Sequence, residues 1–140
     1  MTARGPRTKS TTQTQASAYL SKSEEYLAAA ERELGERLNV AATSLAIHAG
    51  INAADAVCGI RLGKRSGGQS HEEVLGLLDT AGADGKELAK ELGRLLPLKT
   101  KAEYDHVEVS KGDAGRAVER ARRSVAIARR VVGAQTTKAP

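Results

Sequence analysis

The chain has no phenylalanine, no tryptophan and only three tyrosines, Tyr19, Tyr26 and Tyr104. So few rings argue against a single-strand nucleic-acid module that works by base stacking. A single cysteine, Cys58, permits no internal disulfide. A secreted, disulfide-stapled scaffold is therefore excluded, and a reducing cytoplasm is the expected compartment. One cysteine and three scattered histidines make no zinc cluster. The run HEEVL (His71–Leu75) carries Leu75 where a zinc-binding HExxH needs its second histidine, and neither GADGKE nor GIRLGKRS has Walker A spacing. No nucleophile elbow is present either. Neither a metal nor a cofactor is expected. The opening MTARGPRTKSTTQTQ lacks the apolar stretch of a signal peptide. Val40–Ile60 is the most membrane-like window, but it holds His48, Asn52 and Asp55. An acid in mid-span costs about 2.5–3.5 kcal/mol on insertion scales, so the segment reads as a buried helix, with no membrane association expected.

Alanine, leucine, valine and isoleucine fill the place of the missing rings. The 140 residues suffice for one domain with its own core. Small side chains allow close helix packing, and alanine, leucine, arginine, glutamate and lysine favour helix locally. Residues 1–15 are polar and basic, with Arg4, Arg7 and Lys9, and read as a disordered tail. Residues 133–140 read the same way, leaving a helical domain over 16–132.

Apolar spacing predicts a first helix over Ala16–Glu36, with Ser21 and Glu24 at capping-box spacing. A second follows over Val40–Leu62 behind an Asn39 cap. It is apolar nearly all round and so should be the most buried. A third, over His71–Leu78, starts behind Ser70 and Glu73. A Gly-rich break at Ala81–Gly85 leads to a fourth helix that Pro97 must interrupt and that resumes to about Tyr104. The last spans Lys111–Val132 behind Ser110 and Asp113, with a stripe at Ala114, Ala117, Val118, Ala121, Val125, Ala128 and Val132. No alternating, strand-like run is visible. The expected fold is all-α, an antiparallel up-and-down bundle of four to five helices.

Three places carry candidate chemistry. Ser44, His48, Asn52 and Asp55 fall within an arc of about 80° on the second helix. In the plainer reading they form a buried hydrogen-bond network, since buried polar groups must be paired. In the sharper reading they line a polar cleft in which Asp55 orients His48. The loop after that helix holds Arg61, Lys64 and Arg65, and His71 opens the third helix. A helix N-terminus favours an anion. Arginine with histidine is also what metal-free RNA cleavage needs, the histidine moving the 2′-hydroxyl proton and the arginine taking up charge on the phosphate. The plainer reading is a solvated basic loop. On the last helix, Arg116, Arg120, Arg122, Arg123, Arg129 and Arg130 lie off the apolar stripe. They read either as phosphate-backbone contacts or as a solvated face balanced by acidic neighbours.

The run AATSLAIHAGINAADAVCGIRLG followed by SHEEVLGLL, and the later KTKAEYD before SKGDAGRAVERARRSVAIARRVV, resemble HEPN domains (higher eukaryotes and prokaryotes nucleotide-binding) over roughly residues 17–132. The resemblance implies an antiparallel bundle, a homodimer, and a role with RNA or nucleotides. Many members are metal-independent ribonucleases of toxin or defence systems, carrying an arginine, a short spacer and a histidine. Arg65 and His71, with five residues between them, match that pattern and are the implied catalytic pair. Ser66 follows the arginine where the family usually has Asn, Asp or His. The motif also usually lies later in the fold, where this chain has Lys101 through His106, with lysine in the arginine position. Lysine gives no planar bidentate contact. The expected function is thus an HEPN-type domain engaging RNA or a nucleotide, with Arg61, Lys64, Arg116, Arg120 and Arg123 as binding cations. The alternative is a non-catalytic module that dimerises or docks a partner protein.

Overall fold

The computed structural model describes residues 7–68 and 70–137. Its elements, in order, are β1 (Thr8–Ser10), α1 (Gln13–Gly35), α2 (Asn39–Leu62), β2 (Lys64–Ser66), α3 (His71–Asp79), α4 (Gly82–Leu95), α5 (Leu98–Glu103) and α6 (Lys111–Thr137). The fold is the all-α bundle expected, with one small sheet added.

α2 forms the centre of the bundle, packed by α1, α6, α4 and α5. Half of its buried residues are alanine: Ala42, Ala46, Ala49, Ala53, Ala54 and Ala56. With so little side chain between them, neighbouring helices approach closely, and the larger volume comes from Leu78, Leu88, Leu92, Leu95 and Leu96 around them. Truncating a fully buried leucine such as Leu92 to alanine costs about 2–5 kcal/mol. By length and composition α2 passes for a membrane span, yet over half of its apolar window is buried inside the bundle. The α6 stripe from Ala114 to Val132 is buried, as its periodicity predicts.

Several boundaries differ from expectation, each for a local reason. β1 and the first residues of α1 occupy part of the stretch read as a tail. β1 pairs antiparallel with β2, placing Lys9 opposite Arg65 and Ser10 opposite Lys64. Two three-residue strands so distant in sequence leave no alternating signal. The remainder of the expected tails, residues 1–6 with Arg4, and 138–140, lies outside the described residues. α1 is capped by Thr12 and Gln15 in a reciprocal capping box, not by Ser21 and Glu24. Asn39 is the first residue of α2 rather than its cap, and its Nδ2 donates to the Val109 carbonyl at 3.3 Å. α4 starts at Gly82, so Gly85 is no break. A Cβ there would run into the Leu78 carbonyl oxygen, and glycine lets α4 lie against the end of α3. Pro97 does separate α4 from α5, and Ser110 caps α6 by accepting from Asp113 N at 3.0 Å. α6 continues to Thr137, past the expected end.

Gly63 ends α2 in the left-handed conformation, φ 68°, and this turn sends the chain directly into β2. The β1–β2 sheet therefore sits at the C-terminal end of α2. The α1–α2 turn and the α5–α6 connection meet at its N-terminal end.

Candidate functional site

The polar stripe of α2 splits into two halves. In the first, Ser44 Oγ donates to Glu103 Oε1 at 3.2 Å. His48 Nε2 lies 3.9 Å from the same oxygen. The imidazole stacks on Tyr26, with ring centres 5.2 Å apart and 26° between planes. Asn52 Nδ2 donates to the His48 backbone carbonyl at 2.8 Å, so Asn52 is satisfied within its own helix. The carboxylate beside His48 is thus Glu103, and no hydrogen bond joins His48 to Asp55. The two lie seven residues apart, about 10 Å along the helix axis, which is too far for the predicted contact. No motif in the sequence singles out Glu103. It sits between Lys101 and His106, and only the docking of α5 on α2 brings it to the stripe.

In the second half, Asp55 faces Arg65. Burial pushes the Asp55 carboxyl up to about 6, and the Arg65 charge offsets part of that rise. Cys58, one turn further on, is pushed up to about 12 by burial and then by the Asp55 charge. A buried thiol held that high is not a nucleophile at neutral pH. Arg65 extends from β2 over the Tyr19 ring, 5.4 Å from its centre, and its Nη1 donates to the Ser66 carbonyl at 3.1 Å. The two tyrosines of α1 thus cover the two halves of the stripe.

Ser70 caps α3 by accepting from Glu72 N at 3.2 Å. His71, in the first turn, is half-buried and has no hydrogen bond or ion pair among the described residues. Nothing joins it to Arg65, so within one chain the candidate pair shares a neighbourhood but not a contact. Arg61 is drawn away to Asp84 Oδ2 at 2.9 Å. Lys64 is exposed and unpaired among the described residues. So are Arg7 and Lys9 on the facing strand and its approach.

The basic face of α6 is different. Arg116 pairs with Asp113 at 2.7 Å, Arg120 with Glu91 at 3.0 Å, and Arg122 and Arg123 with Glu119 at 3.2 and 3.3 Å. Arg129 pairs with Glu24 at 2.7 Å and Arg130 with Asp84 at 2.7 Å. Hydrogen bonding from Arg130, with Arg61 beside it, holds the Asp84 carboxyl below its usual range. Asp113 is held at about 2, first by Lys101 and then by Arg116. Lys101, the residue in the family's usual arginine position, is thereby tied to Asp113 at 2.9 Å. The six arginines are the acid-balanced face of the plainer reading. Among the described residues, no three histidines, cysteines or acids gather as a metal site.

The family model described as HEPN domain matches residues 16–131. That span begins in α1, ends in α6, and contains the polar stripe and the Arg65–His71 loop. No curated protein matches the chain.

Proposed function

The chain belongs to the HEPN domain family, and from that premise we propose that it engages RNA or a nucleotide by its phosphates at the β1–β2 sheet. One observation carries this reading: Arg7, Lys9 and Lys64 stand exposed and, among the described residues, unpaired around the β1–β2 sheet, beside the N-terminus of α3. Lysines act on phosphate as point charges, and the first turn of a helix adds free N–H groups of favourable sign. Contacts of this kind are blind to sequence and weaken steeply with salt. The cleavage version of the reading, suited to a toxin or defence system, makes His71 the base for the 2′-hydroxyl proton and Arg65 the clamp on the charged phosphate.

A second reading is favoured by where Arg65 points. It lies over Tyr19 and toward Asp55, away from any contact with His71, and Lys101 is tied to Asp113. An HEPN module with both cations engaged internally holds a ligand or partner without cutting it. Purified protein incubated with a mixed RNA pool in EDTA separates the two. Cleavage that persists in EDTA and disappears in His71→Ala establishes the nuclease. RNA retained on the protein but left uncut by both forms establishes the binding module. Failure to retain RNA at low salt removes the proposal for the β1–β2 sheet altogether.

A further inference from the structure

α1 ends in a Schellman motif. Leu38 N donates to the Glu33 carbonyl at 2.9 Å and Arg37 N to the Leu34 carbonyl at 3.1 Å, which puts Arg37 at the position that glycine usually takes. Among the described residues Arg37 is the one non-glycine in the left-handed region, φ 63°. Glycine would hold this turn with no Cβ penalty, so the backbone gives no reason for an arginine. Nor do its neighbours: the Arg37 side chain is exposed and has no hydrogen bond or ion pair among the described residues. Leu38, which in such a motif often packs back on its own helix, is instead 52 % exposed.

Both residues border a groove of about 620 Å³ between the start of α2 and the α5–α6 connection. A groove of that size suits a small organic ligand. Its walls are aliphatic, formed by Leu38, Val40, Ala102 and Val109. Asn39 Nδ2 donates to the Val109 carbonyl at 3.3 Å and so ties one wall to the other. Val40 is 46 % exposed, so a ligand there removes apolar surface from water. The groove also holds a charge of each sign, Arg37 and Glu108. Glu108 is exposed as well, and it pairs neither with Arg37 nor with any other cation among the described residues.

We propose that this groove binds a zwitterionic aliphatic ligand, an amino acid or short peptide with both termini free. Its carboxylate meets Arg37, its ammonium meets Glu108, and its side chains lie against Leu38 and Val40. A guanidinium suits a carboxylate because it can meet both oxygens at once. A nucleotide would gain Arg37 but bring its phosphate against Glu108, a charge of its own sign. A simple cation has the reverse fault. An uncharged apolar ligand would cover the walls and take both charges partly out of water without a partner. A ligand with both signs on an aliphatic body matches every feature. The groove lies at the N-terminal end of α2, about 36 Å from the β1–β2 sheet at 1.5 Å per residue over 24 residues. The proposal therefore does not rest on RNA binding.

Isothermal titration calorimetry on the full chain tests it with leucine, dileucine and trileucine, with dileucine acetylated at one end or amidated at the other, and with adenosine monophosphate. Saturable binding of dileucine is expected, weakened about tenfold or more by either blocked end and by either Arg37→Gly or Glu108→Gln. The acetylated form should bind Glu108→Gln as it binds the parent, and the amidated form should bind Arg37→Gly as it binds the parent. Glycine suits the left-handed turn, so thermal unfolding should find Arg37→Gly about as stable as the parent. Its loss of binding is then a loss of the guanidinium and not of the fold. Leucine bound as tightly as the longer ligands assigns a free amino acid, and affinity that rises with length assigns a peptide. No saturation by any of the three at about 1 mM, binding unmoved by both substitutions and both blocked ends, or adenosine monophosphate bound as tightly as dileucine would each overturn the proposal. So would a marked loss of stability in Arg37→Gly, because the arginine would then serve the fold itself.

Discussion

Two regions of this molecule are rich in cations, and they differ in what those cations face. On α6, six arginines each meet a carboxylate, partly from α6 itself and partly from α1 and α4. At the β1–β2 sheet, Arg7, Lys9 and Lys64 meet none among the described residues. The region with more positive residues thus offers less uncompensated charge. A formal net charge of +5 says nothing of where the surplus resides; that is decided by the neighbours the fold supplies. Most of the α6 arginines tie α6 to α1 or α4, and the β1–β2 sheet retains the charge that a phosphate can use.

The contrast is sharpest at the most buried pair. Glu91 is only 10 % exposed in its side chain and faces Arg120, at 23 %, with Arg123 nearby at 3.6 Å. Glu91→Ala strands Arg120 without a counter-charge and should cost about 3 kcal/mol in urea unfolding. A loss near zero would mean that α6 does not depend on its pairing.

Asp55 gives the next effect. Its folded pKa of about 6 lies above the ordinary value of 3.8. The native state therefore binds more protons between those values, and this residue's contribution to stability falls as pH rises through about 6. Asp55→Asn removes that dependence. The variant should exceed the parent by about 3 kcal/mol at pH 8 and match it below about pH 4. A variant less stable at pH 8 would show that the attraction of Arg65 outweighs burial.

The smallest effect is expected at Arg129, an exposed partner of Glu24. Arg129→Ala should change stability by less than about 1 kcal/mol and leave RNA affinity where it was. A clear fall in affinity would make α6 a binding surface after all.

Much of the fold is legible in the amino-acid sequence. The α6 stripe and the burial of α2 follow from helical periodicity and from an all-apolar surface, and Pro97 ends α4 as its chemistry demands. What stays hidden there depends on distant segments. β1 and β2 are three residues each and pair across the whole of α1 and α2. Glu103 reaches His48 only because α5 folds back on α2. The arginines of α6 cannot be told from a phosphate-binding face until α1 and α4 supply Glu24, Glu91 and Asp84. Local pattern shows that a residue is charged; only packing shows what it faces.

The central claim is that usable positive charge lies at the β1–β2 sheet. Fluorescence anisotropy of a labelled RNA, titrated across a salt series, tests it with two double variants, Lys9→Gln with Lys64→Gln and Arg122→Gln with Arg129→Gln. The sheet pair is predicted to lose about tenfold or more in affinity and to lower the salt slope by about 1.5, while the α6 pair binds as the parent does. Loss of binding in the α6 pair with the sheet pair unchanged would contradict it.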